Sequence, residues 1–368
     1  MKKIRLISNG FGEDLIACQL LDAFGQDSFL FEAVPLVGPG NEYKKRDIQP
    51  KCGQEMLPSG GFLFKVRDFI RDVRHGLIGQ FLNQWRTIVT STADYQLVVG
   101  DIYALFMASR SPAPIIFMPT AKSERAIPHW GIEFMLIKKY AKMVFPRDIE
   151  THQKMCRKGI PSYFFGNPMF DAMTSDLPRP NAFVIGILPG SRAEGLSNLK
   201  IILTILETLE LSKPVTYVIA LPAHFTKHQL ALLTDGLDWQ FHETNDCQMF
   251  INGALQVNVS NQFMDVLQQS SVIIGLAGTA NEQAMFAKRP VISFIGSGPQ
   301  SSKKRFLQQQ QLIGGAISFF IESKDPSIIS TEMSKFINQN TFHWTPLSNY
   351  FQQSAVAIRD AILSKFQF

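Results

Sequence analysis

Cysteine is scarce in this chain of 368 residues, and its four copies, Cys18, Cys52, Cys156 and Cys247, stand far apart with no C-x-x-C pair. That spacing points to neither a disulfide framework nor a zinc site, and a reducing compartment fits it best. Long apolar runs are missing as well, so no membrane span is expected. Lys2 and Lys3 open the chain, but Ser8, Asn9 and Glu13 interrupt any secretory core, and the expected location is the cytoplasm. Several catalytic signatures are absent: there is no H-E-x-x-H, no P-loop and no G-x-S-x-G. Nor do two aspartates stand in the D-x-D spacing with which some sugar transferases hold a metal, so no metal and no cofactor is expected. His224 and His228 are one helical turn apart, yet no third ligand accompanies them, and solvated side chains are the commoner reading.

What is present is ordinary globular composition, 45% hydrophobic and 18% charged, at a length that favours two domains over one. A net charge of +5 and a pI near 8.9 would suit phosphates or an anionic membrane face. No nucleic-acid partner is expected.

The stretch from Ser270 to Gly296 organises the rest. An apolar run (Val272 to Ile274), a glycine-rich turn (Gly275, Gly278), a helix opening at Thr279 and a second apolar run (Val291 to Ile295) read as strand, loop, helix and strand of a parallel sheet. Gly278 permits close approach of a ligand, and the first amides of the helix, at Thr279, Ala280 and Asn281, suit an anion such as a phosphate. Glu282, one turn in, is placed to accept hydrogen bonds from sugar hydroxyls. Thr279 and Glu282 also match a capping box, which would make them purely structural.

The same unit recurs along the chain. Ile4 to Ile7 is a strand, followed by Ser8-Asn9-Gly10-Phe11-Gly12-Glu13-Asp14 and an amphipathic helix. Gly10 and Gly12 allow a ligand near the backbone, while Glu13 and Asp14 also sit where a helix favours negative charge for its own dipole. Further strands end at Gly100 before Asp101, at Met118 before Pro119-Thr120, and at Phe145 before Pro146-Arg147-Asp148. Polar residues just past successive strand ends would line one crevice. Beyond a proline-rich linker, Phe183 to Leu188 is a strand and Pro189-Gly190-Ser191-Arg192-Ala193-Glu194-Gly195 its turn; Ser191 and Glu194 give a second capping-box match, and Arg192 adds a guanidinium. The pattern predicts an α/β protein with two Rossmann-like, doubly wound domains facing a cleft, at 1–165 and 181–325, with a linker at 166–180 and a helical tail at 326–368.

Between the first two units, residues 62–85 place Val66, Phe69, Ile70, Val73, Leu77 and Phe81 on one helical stripe bordered by Lys65, Arg67, Arg71 and Arg74. A helix lying in a membrane interface has that pattern, and so does a helix packed on a core. Gly76 and Gly79 predict a break.

Taken together, Ile187-Leu188-Pro189-Gly190-Ser191-Arg192 with Glu194, Gly278-Thr279-Ala280 with Glu282, and Phe165-Gly166-Asn167-Pro168-Met169 with Asp171 resemble lipid-A-disaccharide synthase. Ser8-Asn9-Gly10, Gly12-Glu13-Asp14, Leu57-Pro58-Ser59-Gly60-Gly61-Phe62 and Phe145-Pro146-Arg147-Asp148 resemble more closely the group of bacterial proteins related to that synthase. The resemblance implies a GT-B glycosyltransferase whose C-terminal domain holds a UDP-sugar: Gly190, Ser191 and Arg192 at its diphosphate or sugar, Thr279 and Ala280 at its phosphates, Glu282 at its ribose. It implies a lipid or lipid-linked acceptor on the N-terminal side; Asp101, directly after a strand and facing the cleft, is the candidate general base by its position, with Glu13 and Asp14 as rivals. Phe11 stands where the related group often has histidine, and the match from Asp101 to Thr120 is poor, so acceptor identity does not carry over. A peripheral place on the inner face of the cytoplasmic membrane follows if the 62–85 stripe faces lipid. A UDP-sugar 2-epimerase, or a non-catalytic protein that binds a nucleotide sugar or a lipid, would fit the same scaffold.

Overall fold

The structure is a computed structural model and describes the chain apart from residues 27, 53–65, 172, 174–181, 193, 223, 245–246, 314–317, 341–352 and 367–368, and apart from the side chains of 66–69 and 299. The chain forms two compact units, Met1–Ala172 with Tyr350–Phe368, and Met173–Asn349.

The first unit runs β1 (Lys2–Ser8), α1 (Phe11–Phe24), β2 (Phe29–Pro35), α2 (Asn41–Lys44), α3 (Val66–Arg74), α4 (Leu77–Thr90), β3 (Tyr95–Gly100), α5 (Ile102–Ala108), β4 (Ile115–Pro119), α6 (Gly131–Tyr140), β5 (Ala141–Val144) and α7 (Ile149–Arg157). Its strands lie parallel in the order β2-β1-β3-β4-β5. The chain moves outward from β1 to β2, then returns past β1 to β3, so the winding reverses between β1 and β3. Such strands are covered on both faces and read as near-continuous apolar runs. Ile7, Val98, Phe117 and Val144 of the sheet accordingly pack with Ile88, Leu105, Phe134 and Ile137 of the helices.

The second unit runs β6 (Val184–Leu188), α8 (Glu194–Glu207), β7 (Thr216–Ala220), α9 (Lys227–Leu233), β8 (Gln240–Glu243), β9 (Gln248–Asn252), β10 (Leu255–Ser260), α10 (Phe263–Gln269), β11 (Val272–Gly275), α11 (Thr279–Phe286), β12 (Val291–Phe294), α12 (Lys303–Ile313), β13 (Ser318–Ile321) and α13 (Pro326–Gln339). Its order, β13-β12-β11-β6-β7-β10-β9-β8, reverses between β6 and β11. The antiparallel pairs β8–β9 and β9–β10 extend one edge.

Among its described residues the stretch 326–368 holds two helices with different allegiances. Helix α13 packs on α8 in the second unit, whereas the last helix, α14 (Ser354–Lys365), packs on α1 in the first. Asp171 fixes the start of α14 by accepting the amides of Ser354 (3.0 Å) and Ala355 (2.6 Å), and Arg359 Nη1 donates to the carbonyl of Ala23 at 2.8 Å.

The break expected near Gly76 is present, with Gly76 at φ +97° between α3 and α4. The apolar stripe of 62–85 divides in the structure. Phe81 packs against the first unit's core, Val73 and Leu77 are half-buried and Ile70 is exposed; Lys65 and the side chains of Val66, Arg67 and Phe69 lie outside the description. The motif at residues 57–62 lies outside it too. No described helix is long and apolar enough to cross a membrane.

One polar cluster lies inside the first unit. Arg5 of β1 is fully buried; its Nε donates to Glu32 Oε1 (2.9 Å), Nη1 to the carbonyl of Ile88 (3.1 Å) and Nη2 to Ser91 Oγ (2.6 Å). Burial disfavours the Glu32 carboxylate, but hydrogen bonds from Lys3, Arg5 and Ser91 outweigh it and hold its pKa below the ordinary range. Replacing Glu32 with alanine strands a guanidinium that has no route to water. Urea unfolding should show a loss of about 3–5 kcal/mol, against less than about 1 kcal/mol for Glu150→Ala in the exposed pair with Arg125. Equal losses would mean that the buried pair contributes nothing beyond a surface one.

Candidate active site

In the second unit the winding reversal places the turns after β6 and β11 side by side. Leu188 lies opposite Gly275 in the ladder, and the amide of Leu276 donates to the carbonyl of Leu188 at 2.9 Å. A crevice at the carboxyl ends of two parallel strands whose connections diverge is where ligands of such sheets bind. Gly190 occupies φ +109°, a conformation that favours glycine. A Cβ on Gly195 would stand 2.4 Å from the carbonyl of Gly190, so α8 approaches the turn as closely as backbone allows.

Ser191 is exposed in this turn and Arg192 partly so; α8 begins at Glu194, and residue 193, between them, lies outside the description. Glu194 lies against Gly298, where an added Cβ would come within 2.8 Å of its Oε1. Asn198 of α8, fully buried, joins the turns: its Nδ2 donates to the carbonyls of Pro189 (2.9 Å) and Ser297 (3.2 Å), and its Oδ1 accepts the amide of Ser297 (2.7 Å).

Helix α11 starts at Thr279 with Gly278 as its N-cap, so the Thr279–Glu282 capping box does not form. The physical reason is that Thr279 is already the first helical residue, and a box needs its hydroxyl one position earlier. Helix geometry leaves the first amides, at Thr279, Ala280 and Asn281, without acceptors inside the helix, and the glycine cap supplies no side chain to take them. Glu282 is 3% exposed and accepts from Arg305 Nη2 at 2.9 Å, while Arg305 Nε donates to Gln300 Oε1 at 3.0 Å. Asn281 is 1% exposed and donates to the carbonyl of Gly275 at 3.1 Å, so its side chain ties α11 to β11. Asn198, Gln300 and Arg305 were missed in the sequence. A buried asparagine in the apolar face of α8 was the available signal for the first; no local signal marked the others.

In the first unit the corresponding edge gathers carboxylates. Glu13, one turn into α1, accepts from Thr120 Oγ1 at 3.1 Å, and Arg147 Nη1 donates to the carbonyl of Thr120 at 2.8 Å. Burial raises the Glu13 pKa; the Thr120 bond opposes the rise, Asp101 adds to it and Arg147 opposes it. Asp101, directly after β3, caps α5: its Oδ1 accepts the amides of Tyr103 (2.9 Å) and Ala104 (3.1 Å). Its pKa is also raised, chiefly by burial. Gly10 and Gly12 bracket the start of α1, and a Cβ on Gly10 would stand 2.4 Å from Glu13 Oε2. The structure therefore brings Gly10, Glu13, Asp101, Thr120 and Arg147 together at the β1/β3 reversal. Asp14 is turned away: it is 1% exposed, and Ser8 Oγ, itself 2.7 Å from Tyr43 Oη, donates to its Oδ1 at 2.6 Å. Phe11 lies against Gly38. His224 and His228 are exposed, and His224 precedes α9 instead of sharing a turn with His228. Among the described residues no group of three or more His, Cys, Asp or Glu side chains is placed to hold a metal.

No protein-family model matches the chain, and no curated protein matches it in sequence. Solved structures do match. Over 100% of its length the chain is similar to MnaA of S. aureus solved with UDP, at TM-score 0.59 and 14% identity over 97% of that chain. Over 99% it is similar to the UDP-GlcNAc 2-epimerase of Neisseria meningitidis bound to UDP-GlcNAc, at 0.52 and 14% over all of that chain. Over 100% it is similar to MurG of Acinetobacter baumannii, at 0.51 and 12% over 99% of that chain. These likenesses establish the fold: an α/β protein of the GT-B kind, built from two Rossmann-like units.

Burial pushes the Asp14 carboxyl up to about 7 from an ordinary 3.8. A raised carboxylate destabilises the fold once ionised, so its contribution is favourable below about pH 4 and is lost as pH rises through 7. Asp14→Asn keeps an acceptor for Ser8 and removes the penalty. Denaturant titrations should find the variant more stable by up to about 4 kcal/mol at pH 8, with the difference gone at pH 4. A difference that does not change with pH would refute this account of Asp14.

Proposed function

We propose that the protein is an inverting glycosyltransferase that moves a sugar of the N-acetylglucosamine or acylated glucosamine type from a UDP-sugar to a hydroxyl of a lipid or lipid-linked acceptor, as in enzymes resembling lipid-A-disaccharide synthase. The observation that carries the reading is the juxtaposition in the second unit of two glycine turns, after β6 and β11, with the uncapped amides of α11 and the buried Glu282–Arg305 pair. Backbone amides and the Arg192 guanidinium suit a departing diphosphate, and a carboxylate one helical turn further in suits vicinal hydroxyls of a ribose. No metal is needed for such leaving-group stabilisation, and none is proposed.

The base is Asp101 in this reading, with Glu13 as its rival. Two amides hold Asp101 Oδ1 and fix the carboxylate's orientation, which leaves Oδ2 to take the acceptor's proton; burial raises its pKa above the ordinary value and so makes it a stronger base. Asp14, buried behind Ser8, has no path to a substrate.

The second reading is a UDP-sugar 2-epimerase, favoured by the similarity to the S. aureus and N. meningitidis structures, whose TM-scores of 0.59 and 0.52 exceed the 0.51 of MurG. Incubation with UDP-N-acetylglucosamine alone separates the two, because an epimerase converts the donor without an acceptor. A chain that binds UDP and converts nothing across an acceptor panel is a binding protein. Mass spectrometry of lipid extracts with and without the protein would identify acceptor and transferred mass together.

Calorimetry should find UDP binding that Arg192→Ala weakens by about tenfold or more. No binding at millimolar UDP would end both enzymatic readings. With the acceptor in hand, Asp101→Asn retains the helix cap and should lower turnover by about 10²–10⁴ at unchanged melting temperature. Full activity in that variant, together with loss in Glu13→Gln, would move the role to Glu13.

A further inference from the structure

Helix α12 reaches the start of α11 through Gln309, which is fully buried. Its Nε2 donates to the carbonyl of Gly278 at 2.9 Å and to that of Ala277 at 3.3 Å. Both partners are carbonyl oxygens, so only the NH2 end of the side-chain amide can face them. Its Oε1 is buried with no partner among the described residues. Methionine would fill the same length of space without burying an unpartnered oxygen, so what glutamine adds here is the pair of N–H bonds.

Those bonds set the direction of the peptide planes on either side of Gly278. In a trans peptide the carbonyl and the amide that follows it point in opposite directions. Because the carbonyls of Ala277 and Gly278 turn inward to Gln309, the N–H groups of Gly278 and Thr279 turn away from α12. The same logic operates earlier in the turn, where Asn281 Nδ2 takes the carbonyl of Gly275 and the amide of Leu276, in that same plane, points the other way to the carbonyl of Leu188. Leu276 thus has an acceptor in β6. Among the described residues the amides of Gly278 and Thr279 have none, and both residues are partly exposed. Adjoining N–H groups aimed to one side at the positive end of a helix are the arrangement that receives a phosphate oxygen.

We infer that Gln309 is a positioning residue of the donor site, 31 residues along the chain from Gly278. It holds the turn's carbonyls inward so that the amides of Gly278 and Thr279 face the diphosphate of a nucleotide sugar, and it does so without touching that ligand. The inference rests on the reading of this turn as a donor site and adds to it the side chain that fixes its shape.

The test pairs amide NMR with calorimetry on the full chain. In the wild type, inorganic pyrophosphate should shift the amide signals of Gly278 and Thr279, a measurement that decides even where a variant does not fold. Gln309→Met should lower the affinity for UDP at least about tenfold and leave that for uridine unchanged, because only the phosphate contacts are lost. Gln310→Met is the control: Gln310, on the same helix, donates to the carbonyl (3.3 Å) and Oγ (2.5 Å) of Ser318 in β13, so its loss removes a comparable tether of α12 and should leave UDP binding intact. Unmoved Gly278 and Thr279 signals in a chain that binds pyrophosphate, a ratio of UDP to uridine affinity that Gln309→Met does not change, or an equal loss in Gln310→Met would overturn the inference alone. A wild-type chain that binds neither pyrophosphate nor UDP would overturn it together with the donor-site reading.

Discussion

The pairing of β6 with β11 is the constraint on which the second unit's site depends. Because Leu188 lies opposite Gly275, the two chains leave the sheet at the same level, and their helices depart toward opposite sides. The gap that opens is lined by backbone because glycine occupies the critical positions: Gly190 at φ +109°, and Gly195 where a side chain would strike the Gly190 carbonyl. Asn198 then joins this turn to the one after β12 through three hydrogen bonds. Loops that could otherwise move separately are held by one buried amide, so the site's shape is a property of the sheet and α8 together.

The first unit repeats the topology with opposite chemistry. Its reversal, between β1 and β3, gathers Glu13 and Asp101, and burial there raises the pKa of both carboxyls. One edge presents the amides of α11 and the other a pair of carboxylates. Two adjoining acids take different roles by orientation alone. Glu13 points to Thr120 at the strand ends, whereas Asp14, the next residue, points back into the fold toward Ser8 and Tyr43. Consecutive helical positions differ by about 100°, enough to put one carboxylate at a site and the other in a core.

The same rotation governs α4. Phe81 and Ile88 face inward and Ile78 and Leu82 outward, yet all four are apolar, so the helix carries two hydrophobic rows, of which the core uses one. The second unit, with only Leu232, Leu307 and Ile328 among the exposed large hydrophobics described, has no comparable surface.

Repeated alternation of apolar run, glycine turn and amphipathic helix was enough to read an α/β protein with two Rossmann-like halves, since both faces of a parallel sheet are buried and leave that imprint locally. The turns carrying Gly10, Asp101, Gly190 and Gly278 were legible for the same reason: they directly follow strands. Strand β2 and the antiparallel edge β8 to β10 were not, because short half-exposed strands lack a distinctive period. Helix α14 joins the first unit through Asp171, and Arg305 reaches Glu282 from 23 residues away; neither contact leaves a trace in local sequence. Whether Thr279 caps α11, which of Glu13 and Asp14 meets the site, and which apolar row of α4 turns outward were decided by tertiary packing. Local sequence sets the period of a helix, but the phase of that period against its neighbours exists only once the neighbours are in place.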